Sequence, residues 1–275
     1  MQVVDLIDKY MHFVSACTHI DDPNEERDKI LWVRESWLQN TMKKGLKVKV
    51  AIDNEMPVGF AHCLPIELGT WDMSGKDLMT IPCLTLQYNR VYNREQGSGI
   101  GRALMDAVET EAKKNKKGVA VLSYETDFWF MPHSFFKHLG YHEVARQGSA
   151  VIMLKTFGPV DPPVMHRLNY EPKLVPEKVV IDAFWNPICL TSVLEIHRVR
   201  EVCAEYGDKA ILNEFDCGNK KILERYQVSR ALFFNGRYKN WGYAAPRDEL
   251  RKIIDQDLTK QSSYCFLENF QQMKD

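Results

Sequence analysis

Gln96-Gly97-Ser98-Gly99-Ile100-Gly101-Arg102-Ala103-Leu104 joins a strand-like stretch to a helix-like one, and this junction decides the reading of the chain. Before it, Ile81 to Val91 reads as a long strand. After it, Arg102 to Lys114 carries Leu104, Ala107, Val108 and Ala112 on one face, the period of an amphipathic helix. The glycines let backbone approach a ligand without Cβ atoms in the way. The first-turn amides of a helix have no partners inside it. With the helix dipole they make a site for an anion such as a pyrophosphate. Two common phosphate fingerprints fail here. The dinucleotide pattern would put its third glycine at Arg102, and no Gly-Lys-Ser/Thr follows for a P-loop.

Working outward, Glu25 to Lys43 has helical spacing, with Ile30, Val33, Trp37 and Leu38 on one side and a stop near Gly45. Lys47 to Asp53 and Pro57 to Cys63 read as a hairpin turned at Asp53-Asn54-Glu55. Beyond the glycine junction come a buried strand (Val119 to Tyr124), a short helix (His133 to Leu139) ended by Gly140, and a strand (Ala150 to Phe157). Five of the twelve prolines then fall between Pro159 and Pro176. Proline lacks an amide donor and fixes φ, so this run is neither helix nor central strand and reads as a connector.

After the connector the alternation restarts. Val179 to Trp185, Ala210 to Phe215, Ala231 to Phe234 and Arg237 to Gly242 read as strands. Leu190 to Tyr206, Lys220 to Tyr226 and Pro246 to Leu258 read as helices, with Pro246 suited to a first turn. The tail after Lys260 is polar. The expected organisation is therefore a first domain over 1–157, a connector over 158–176, a smaller α/β domain over 177–260 and a tail over 261–275.

Composition removes several function classes. Lys+Arg is 36 against Asp+Glu 37, a net charge of −1. The balance holds on both sides of Gly158, which excludes the basic excess of a nucleic-acid binder. No apolar run is long enough to span a bilayer, and the first residues do not read as a signal peptide. The seven cysteines are odd in number and lack CxxC spacing. A disulfide framework or a zinc site is not expected, and the reading is a reduced, cytoplasmic compartment with no metal.

Gln96-x-x-Gly99-x-Gly101 resembles the acyl-CoA motif of the GNAT N-acetyltransferase superfamily, Gln/Arg-x-x-Gly-x-Gly/Ala. Arg94-x-x-Gly97-x-Gly99 fits in a second register. Downstream, Ser134-Phe135-Phe136-Lys137-His138-Leu139-Gly140-Tyr141-His142-Glu143-Val144 is similar to the family's short helix, turn and last strands. The resemblance covers about Leu6 to Phe157. It implies a GNAT fold with a mixed central sheet and acetyl-CoA as co-substrate, held by Gln96, Gly97, Ser98, Gly99, Ile100, Gly101 and Arg102. The pantetheine would lie in a splayed gap between two parallel strands. The first, Leu84 to Tyr88, contributes Leu86 and Tyr88; the second is Val119 to Tyr124. An amine would attack the acetyl thioester directly, and an acid would protonate the leaving thiolate.

The family's usual acid is a tyrosine in the short helix. Phe136 occupies that position and cannot donate a proton. Tyr124, His133 and Tyr141 are the substitutes nearby. Tyr124 reads equally as a wall residue, and His133 as a polar helix start. Glu125 and Asp127 read as amine-binding or deprotonating groups, or as solvated loop carboxylates. Phe128, Trp129, Phe130 and Met131 read as an acceptor wall or as a cluster sealing the core. Cys83 reads as core. Lys113, Lys114, Lys116 and Lys117 offset a helix dipole or meet a CoA 3′-phosphate.

In the second half, Phe184-Trp185-Asn186-Pro187-Ile188-Cys189-Leu190-Thr191-Ser192 resembles the thioredoxin active-site segment, with Ser192 in place of the second cysteine. Ser229-Arg230-Ala231 stands where the family's cis-proline is expected. A cysteine at a helix N-terminus gains thiolate character, so Cys189 is the expected reactive thiol. A GNAT domain followed by such a thioredoxin-like α/β domain resembles the YoaP-type acetyltransferases. The implied function is acetyl transfer to a primary amine of a small-molecule or peptide acceptor. The alternatives are a non-catalytic acyl-CoA-binding or regulatory protein, and a thiol-linked redox protein acting through Cys189. The expected partners include neither nucleic acid nor membrane, and a homodimer stays open.

Overall fold

The computed structural model describes residues 1–21, 24–69, 71–87, 99–125 and 130–272. It divides into two compact units, Met1–Arg167 and Leu168–Asp275. Both are mixed α/β.

In the first unit seven strands form one sheet. Their order is β1 (Gln2–Asp5), β2 (Lys47–Asp53), β3 (Met56–Pro65), β5 (Leu78–Leu86), β6 (Gly118–Tyr124), β8 (Ala150–Thr156) and β7 (His142–Gln147). A separate two-stranded ribbon pairs β4 (Met73–Ser74) with β9 (Val164–Met165). Every neighbouring pair of the large sheet is antiparallel except β5 and β6. The β2–β3 hairpin turns on Asn54 and Glu55, both at positive φ, which matches the twist of the strands. The parallel pair instead needs a crossover helix, and α3 (Ile100–Ala112) lies between its strands in sequence.

Side chains alternate across this sheet. Val48, Val50 and Phe60 face α1 (Asp8–Ala16) and α2 (Glu25–Met42), where Phe13 and Leu38 fill the layer. Ala51, Ala61, Ile81 and Val121 face α3 and α4 (His133–His138), where Ile100, Leu104, Val108 and Phe136 fill it. The buried residues of α2 run Arg27, Ile30, Leu31, Arg34, Leu38 and Thr41. That shifts the stripe expected through Val33 and Trp37, which are only half buried.

In the second unit the strand order is β11 (Ala210–Asp216), β10 (Val179–Trp185), β12 (Ala231–Phe234) and β13 (Arg237–Lys239). β10 and β11 are parallel, and β12 and β13 run antiparallel to their neighbours. Ile181 and Phe234 pack with α5 (Leu190–Glu205) and α7 (Arg247–Gln272). Phe184 and Phe233 face the other way, toward α6 (Lys220–Tyr226), and Tyr170 from the proline-rich stretch stacks at 4.5 Å on Phe233.

Several expected boundaries move. β5 starts at Leu78, earlier than Ile81. The last strand ends at Lys239, earlier than Gly242. α7 runs on to Gln272, through most of the polar tail. β1 and α1 went unread in the sequence, and β9 places two residues of the proline-rich run in an edge ribbon, where a missing ladder donor is tolerated. Among the described residues no helix is long and apolar enough to cross a membrane.

Candidate active site

The centre of the first sheet opens. β5 pairs with β6 only from Leu78/Gly118 to Ile81/Val121. Past that point β5 keeps its partner β3 as far as Leu86, and β6 keeps β8 as far as Tyr124. The next residue of β5 is Pro82, which has no N–H for the ladder. A register shift between His62 and Leu64, opposite this point, bends β5 further from β6. The two middle strands therefore diverge, and the backbone groups of β5 beyond Pro82 face the opening.

One such group is engaged. The Leu84 amide donates to the Met131 thioether at 3.2 Å. Met131 is 3% exposed and returns beside β6, where its carbonyl accepts from the Tyr124 amide at 3.0 Å. A thioether is a weak acceptor. The Leu84 N–H thus points into the opening and has only a weak partner. Leu86, two residues on, presents its backbone on the same side.

α3 starts beside β5. Gly99 caps it at φ +74, in left-handed conformation, and accepts the Ala103 amide at 2.9 Å. A Cβ on Gly99 would meet nothing within 4 Å, so glycine is there for its φ. Ile100 is buried and fixes the first turn in the core, Arg102 is exposed, and no acidic residue stands in that turn. Its free amides therefore meet no competing carboxylate. Gly101 is small for a different reason: a Cβ would come within 3.1 Å of the Phe135 ring. On β3, a Cβ at Gly59 would lie 2.9 Å from Leu86 Cδ2 and 3.4 Å from Leu104 Cδ1, so this glycine lets α3 sit close to the strand.

Of the residues expected here, Leu86, Gly99, Ile100, Gly101, Arg102, Tyr124, Glu125 and His133 are described; Tyr88, Gln96, Gly97 and Ser98, with Arg94, Asp127, Phe128 and Trp129, lie outside the described residues. Tyr124 ends β6, half buried, with its ring 6.1 Å from Phe130. His133 opens α4, half buried; the Glu143 carboxyl is lowered first by its hydrogen bond from Arg146, with a smaller contribution from His133. The Glu125 carboxylate is bound to Arg146, whose Nε also donates to Glu143 at 2.8 Å. Phe136 is fully buried in the core, 5.9 Å from Tyr141 in a T-shaped pair.

The Tyr141 hydroxyl is buried without a hydrogen bond, and desolvation, then the Glu109 charge, raise its pKa. Glu109 lies nine residues past the start of α3, about 13 Å down the helix axis. Tyr141 is therefore a core residue away from the anion site. The lysines after α3 are engaged too: Lys113 over the Phe157 ring at 4.9 Å, Lys114 with Glu111 at 2.8 Å, Lys116 with Glu67 at 2.8 Å and Lys117 with Asp77 at 3.0 Å.

The other face of β5 holds groups that sequence reading missed. Cys83 pairs across strands with His62, and both lie on the layer of α1 and α2. Arg34 of α2 is 1% exposed and donates to the Ser15 carbonyl at 3.2 Å. Burial, then the Arg34 charge, hold the His62 pKa well below the usual imidazole value. Contact with Cys83, then the Arg34 charge, lower the Cys17 thiol against the pull of burial. Phasing α2 by its buried stripe, through Arg27, Ile30, Arg34, Leu38 and Thr41, was the signal that would have found Arg34.

In the second unit Cys189 caps α5, half buried, with the Arg230 guanidinium near enough to feel its charge. Arg230 itself is paired with Glu195 at 3.0 Å. Ser192, in the place of a second cysteine, is buried, and its hydroxyl accepts the Asn186 amide at 2.9 Å. No peptide bond among the described residues is cis, Ser229-Arg230 included.

No protein-family model matches the sequence, and a search of curated proteins finds no match. Solved structures that the chain resembles include several acetyltransferases. The PaiA N-acetyltransferase of Thermoplasma acidophilum, in complex with coenzyme A, aligns at 14% identity over 57% of this chain and 99% of its own, with a TM-score of 0.40. The ribosomal-protein-alanine N-acetyltransferase of Brucella melitensis aligns at 15% identity over 57% and 99%, with a TM-score of 0.40. The aminoglycoside 6′-N-acetyltransferase of Enterococcus faecium aligns at 16% identity over 58% and 98%, with a TM-score of 0.40.

Proposed function

We propose that the first unit is an acetyl-CoA-dependent N-acetyltransferase of the GNAT type, acting on a primary amine, and that the second unit is a thioredoxin-like domain of the YoaP kind. The observation that carries this reading is the divergence of β5 from β6 after Pro82, beside a helix that Gly99 opens at its N-terminus. An extended, amide-bearing chain ending in a pyrophosphate fits such a pair of features. Gln96, Gly97, Ser98, Gly99, Ile100, Gly101 and Arg102 would hold the pyrophosphate, and Leu86 and Tyr88 would flank the pantetheine.

The Leu84 N–H faces the opening and is free to take an amide or thioester carbonyl in place of the Met131 sulfur. The acceptor amine attacks the acetyl carbon, the carbon–sulfur bond breaks, and the thiolate takes a proton. We assign that proton to Tyr124, at the end of β6. His133, at the start of α4, and Glu125, tied to Arg146, are the lesser candidates. The six cysteines described as free accord with a reduced, cytoplasmic setting.

The test is calorimetric binding of acetyl-CoA to the full chain, followed by thiol release from acetyl-CoA with a panel of primary amines. Binding with amine-dependent thiol release is expected. Binding without turnover would favour a regulatory acyl-CoA binder, and absence of binding would end the reading.

A further inference from the structure

Buried polar groups in folded proteins are almost always hydrogen-bonded, so a cluster of unsatisfied ones marks a place where a polar ligand or water belongs. Among the described residues seven buried side-chain atoms lack a partner, and five of them belong to one layer: Ser15 Oγ, Arg34 Nε, His62 Nδ1, His62 Nε2 and Gln87 Oε1. Ser15 comes from α1, Arg34 from α2, His62 from β3, and Gln87 directly follows β5.

The charge of this layer is also unbalanced. Among the described residues three arginine and lysine side chains are buried: Arg27, Arg34 and Lys49. Arg27 pairs with Asp28 at 2.7 Å, and Lys49 pairs with Asp5 at 2.6 Å and Glu111 at 3.1 Å. Arg34 has the Ser15 carbonyl, the Phe60 face at 5.9 Å and the Cys17 thiol beside it, and no carboxylate among the described residues. A buried guanidinium without a carboxylate is costly, and an anion brought to it is held strongly.

The position is informative. Cys83 and Thr85 put their side chains on this face of β5, while the Leu84 amide between them points into the opening. The 3₁₀ turn that carries Cys17 is pinned to the same strand: Gln87 Nε2 donates to the Thr18 carbonyl at 3.3 Å and to Asp21 Oδ2 at 3.2 Å. A group bound at Arg34 therefore sits beside β5 where the thioester would lie in the opening.

We propose that Arg34, with Ser15 and His62, binds a carboxylate carried by the acceptor, so that the amine acetylated belongs to an amino-acid-like molecule. The proposal rests on the acetyltransferase reading for the amine, but not for the anion site. The Arg34 guanidinium of this layer matches one negative charge. A phosphate dianion would leave a net buried charge, which selects carboxylate. Arg34 Nε supplies one charge-assisted hydrogen bond, and the Ser15 hydroxyl and the His62 ring supply neutral ones.

Two readouts on the full chain test this separately. The first is thermal unfolding with β-alanine, γ-aminobutyrate, taurine, phosphoethanolamine and propylamine, in the parent, Arg34→Met and Arg34→Lys. The expected result is a rise in Tm with the carboxylates in the parent, a smaller one in Arg34→Lys and none in Arg34→Met. Equal shifts in the parent and Arg34→Met, no shift with any carboxylate, or a larger shift with phosphoethanolamine overturns the proposal, whatever the enzyme does.

The second readout is acetyl transfer. In the parent, kcat/KM for an amino carboxylate should exceed that of its decarboxylated partner by roughly 10- to 100-fold, as expected for a hydrogen bond to a buried charge. Equal turnover of the two would overturn the proposal while leaving the acetyltransferase reading intact. A thiolate absorbance near 240 nm that disappears in Cys17→Ser, with no carboxylate response, would make Cys17 the counter-charge of Arg34 and also overturn it.

Discussion

The Met131 sulfur sits 3.2 Å from the Leu84 amide, across the opening between β5 and β6. Leu84 belongs to the strand that leaves its parallel partner, and Met131 to the segment that returns beside the other strand. The contact therefore plugs the gap with a thioether, a weak acceptor. A carbonyl of a bound substrate would replace it to advantage.

Removing the sulfur while keeping the volume tests that exchange. Met131→Leu should cost less than about 1.5 kcal/mol of stability, because the swap conserves volume. It leaves the Leu84 amide without a partner in the free protein, so coenzyme A should bind about 2- to 10-fold tighter, the value of one recovered hydrogen bond. Unchanged or weaker calorimetric affinity would show that the amide does not meet the ligand.

Gly99 provides a backbone test. Its φ of +74 is left-handed, and a side chain there meets no neighbour. Gly99→Val should be strained at this φ and reshape the start of α3, with loss of coenzyme A affinity in a folded protein. Gly99→Asn tolerates left-handed backbone and should keep most of that affinity. Equal affinity in all three proteins would remove the turn from the ligand site.

The contrast between these two sites shows what the sequence made legible. Gly99, Ile100 and Gly101 were readable because a strand–glycine–helix junction has a local signature. Met131 was not, since its role depends on a gap that opens only where Pro82 stops one ladder while β3 continues on the other side. Pro82 was visible in the sequence, but the partner it deprives was not. Arg34 was hidden by a helix phase read through Val33 and Trp37. Trp37 drew the stripe toward itself, yet it is only half buried, and the buried stripe carries two arginines. In the second unit the alternation of strands and helices marked all four strands: β10 and β12 are short apolar runs, and the exposed β13 was found through the Asn235-Gly236 turn that joins it to β12. The length of α7 was missed because the residues after Lys260 were read as a polar tail, although Tyr264, Leu267 and Phe270 recur there at helical spacing.

Acid sensitivity should concentrate at Glu67. Desolvation pushes its carboxyl up, but hydrogen bonds from Lys116 and the Asp77 amide outweigh this and lower its pKa below the usual value. A depressed carboxylate contributes stability that is present above the unfolded pKa, ~4.3, and is lost as pH falls through the folded one. The pair is partly solvated, so its worth is about 1 kcal/mol or less. Tm measured from pH 7 to pH 3 should fall less steeply below pH 4.5 in Glu67→Gln than in the parent. Parallel curves would mean that Glu67 is not linked to folding.

Thiol reactivity should follow burial. Cys63 is fully buried, and burial pushes its thiol up to about 12; burial also raises Cys203. Cys189 is half buried at the start of α5, near Arg230. Limited alkylation of the native chain, read by peptide mass, should label Cys189 well before Cys63 and Cys203. Arg230→Gln should slow labelling of Cys189 and leave Cys63 unchanged; equal rates at Cys189 in parent and variant would make it a packing residue.

The proton for the leaving thiolate gives the sharpest test of the site. Phe136 fills the core, and Tyr141 is buried against Glu109, a residue about 13 Å down α3 from its start, which leaves Tyr124 at the end of β6. Its ring packs on Phe130 whether or not the hydroxyl is present, so Tyr124→Phe keeps the wall and removes only the donor. Proton transfer by a positioned acid is worth roughly 10²- to 10⁴-fold, so kcat should fall by about that factor with coenzyme A affinity unchanged. The loss should be smaller with acetyl thioesters whose thiol has a lower pKa, since a better leaving group needs less help. If kcat stays within a few-fold of the parent across that series, the thiolate leaves unprotonated or takes its proton from water, and Tyr124 serves only as a wall.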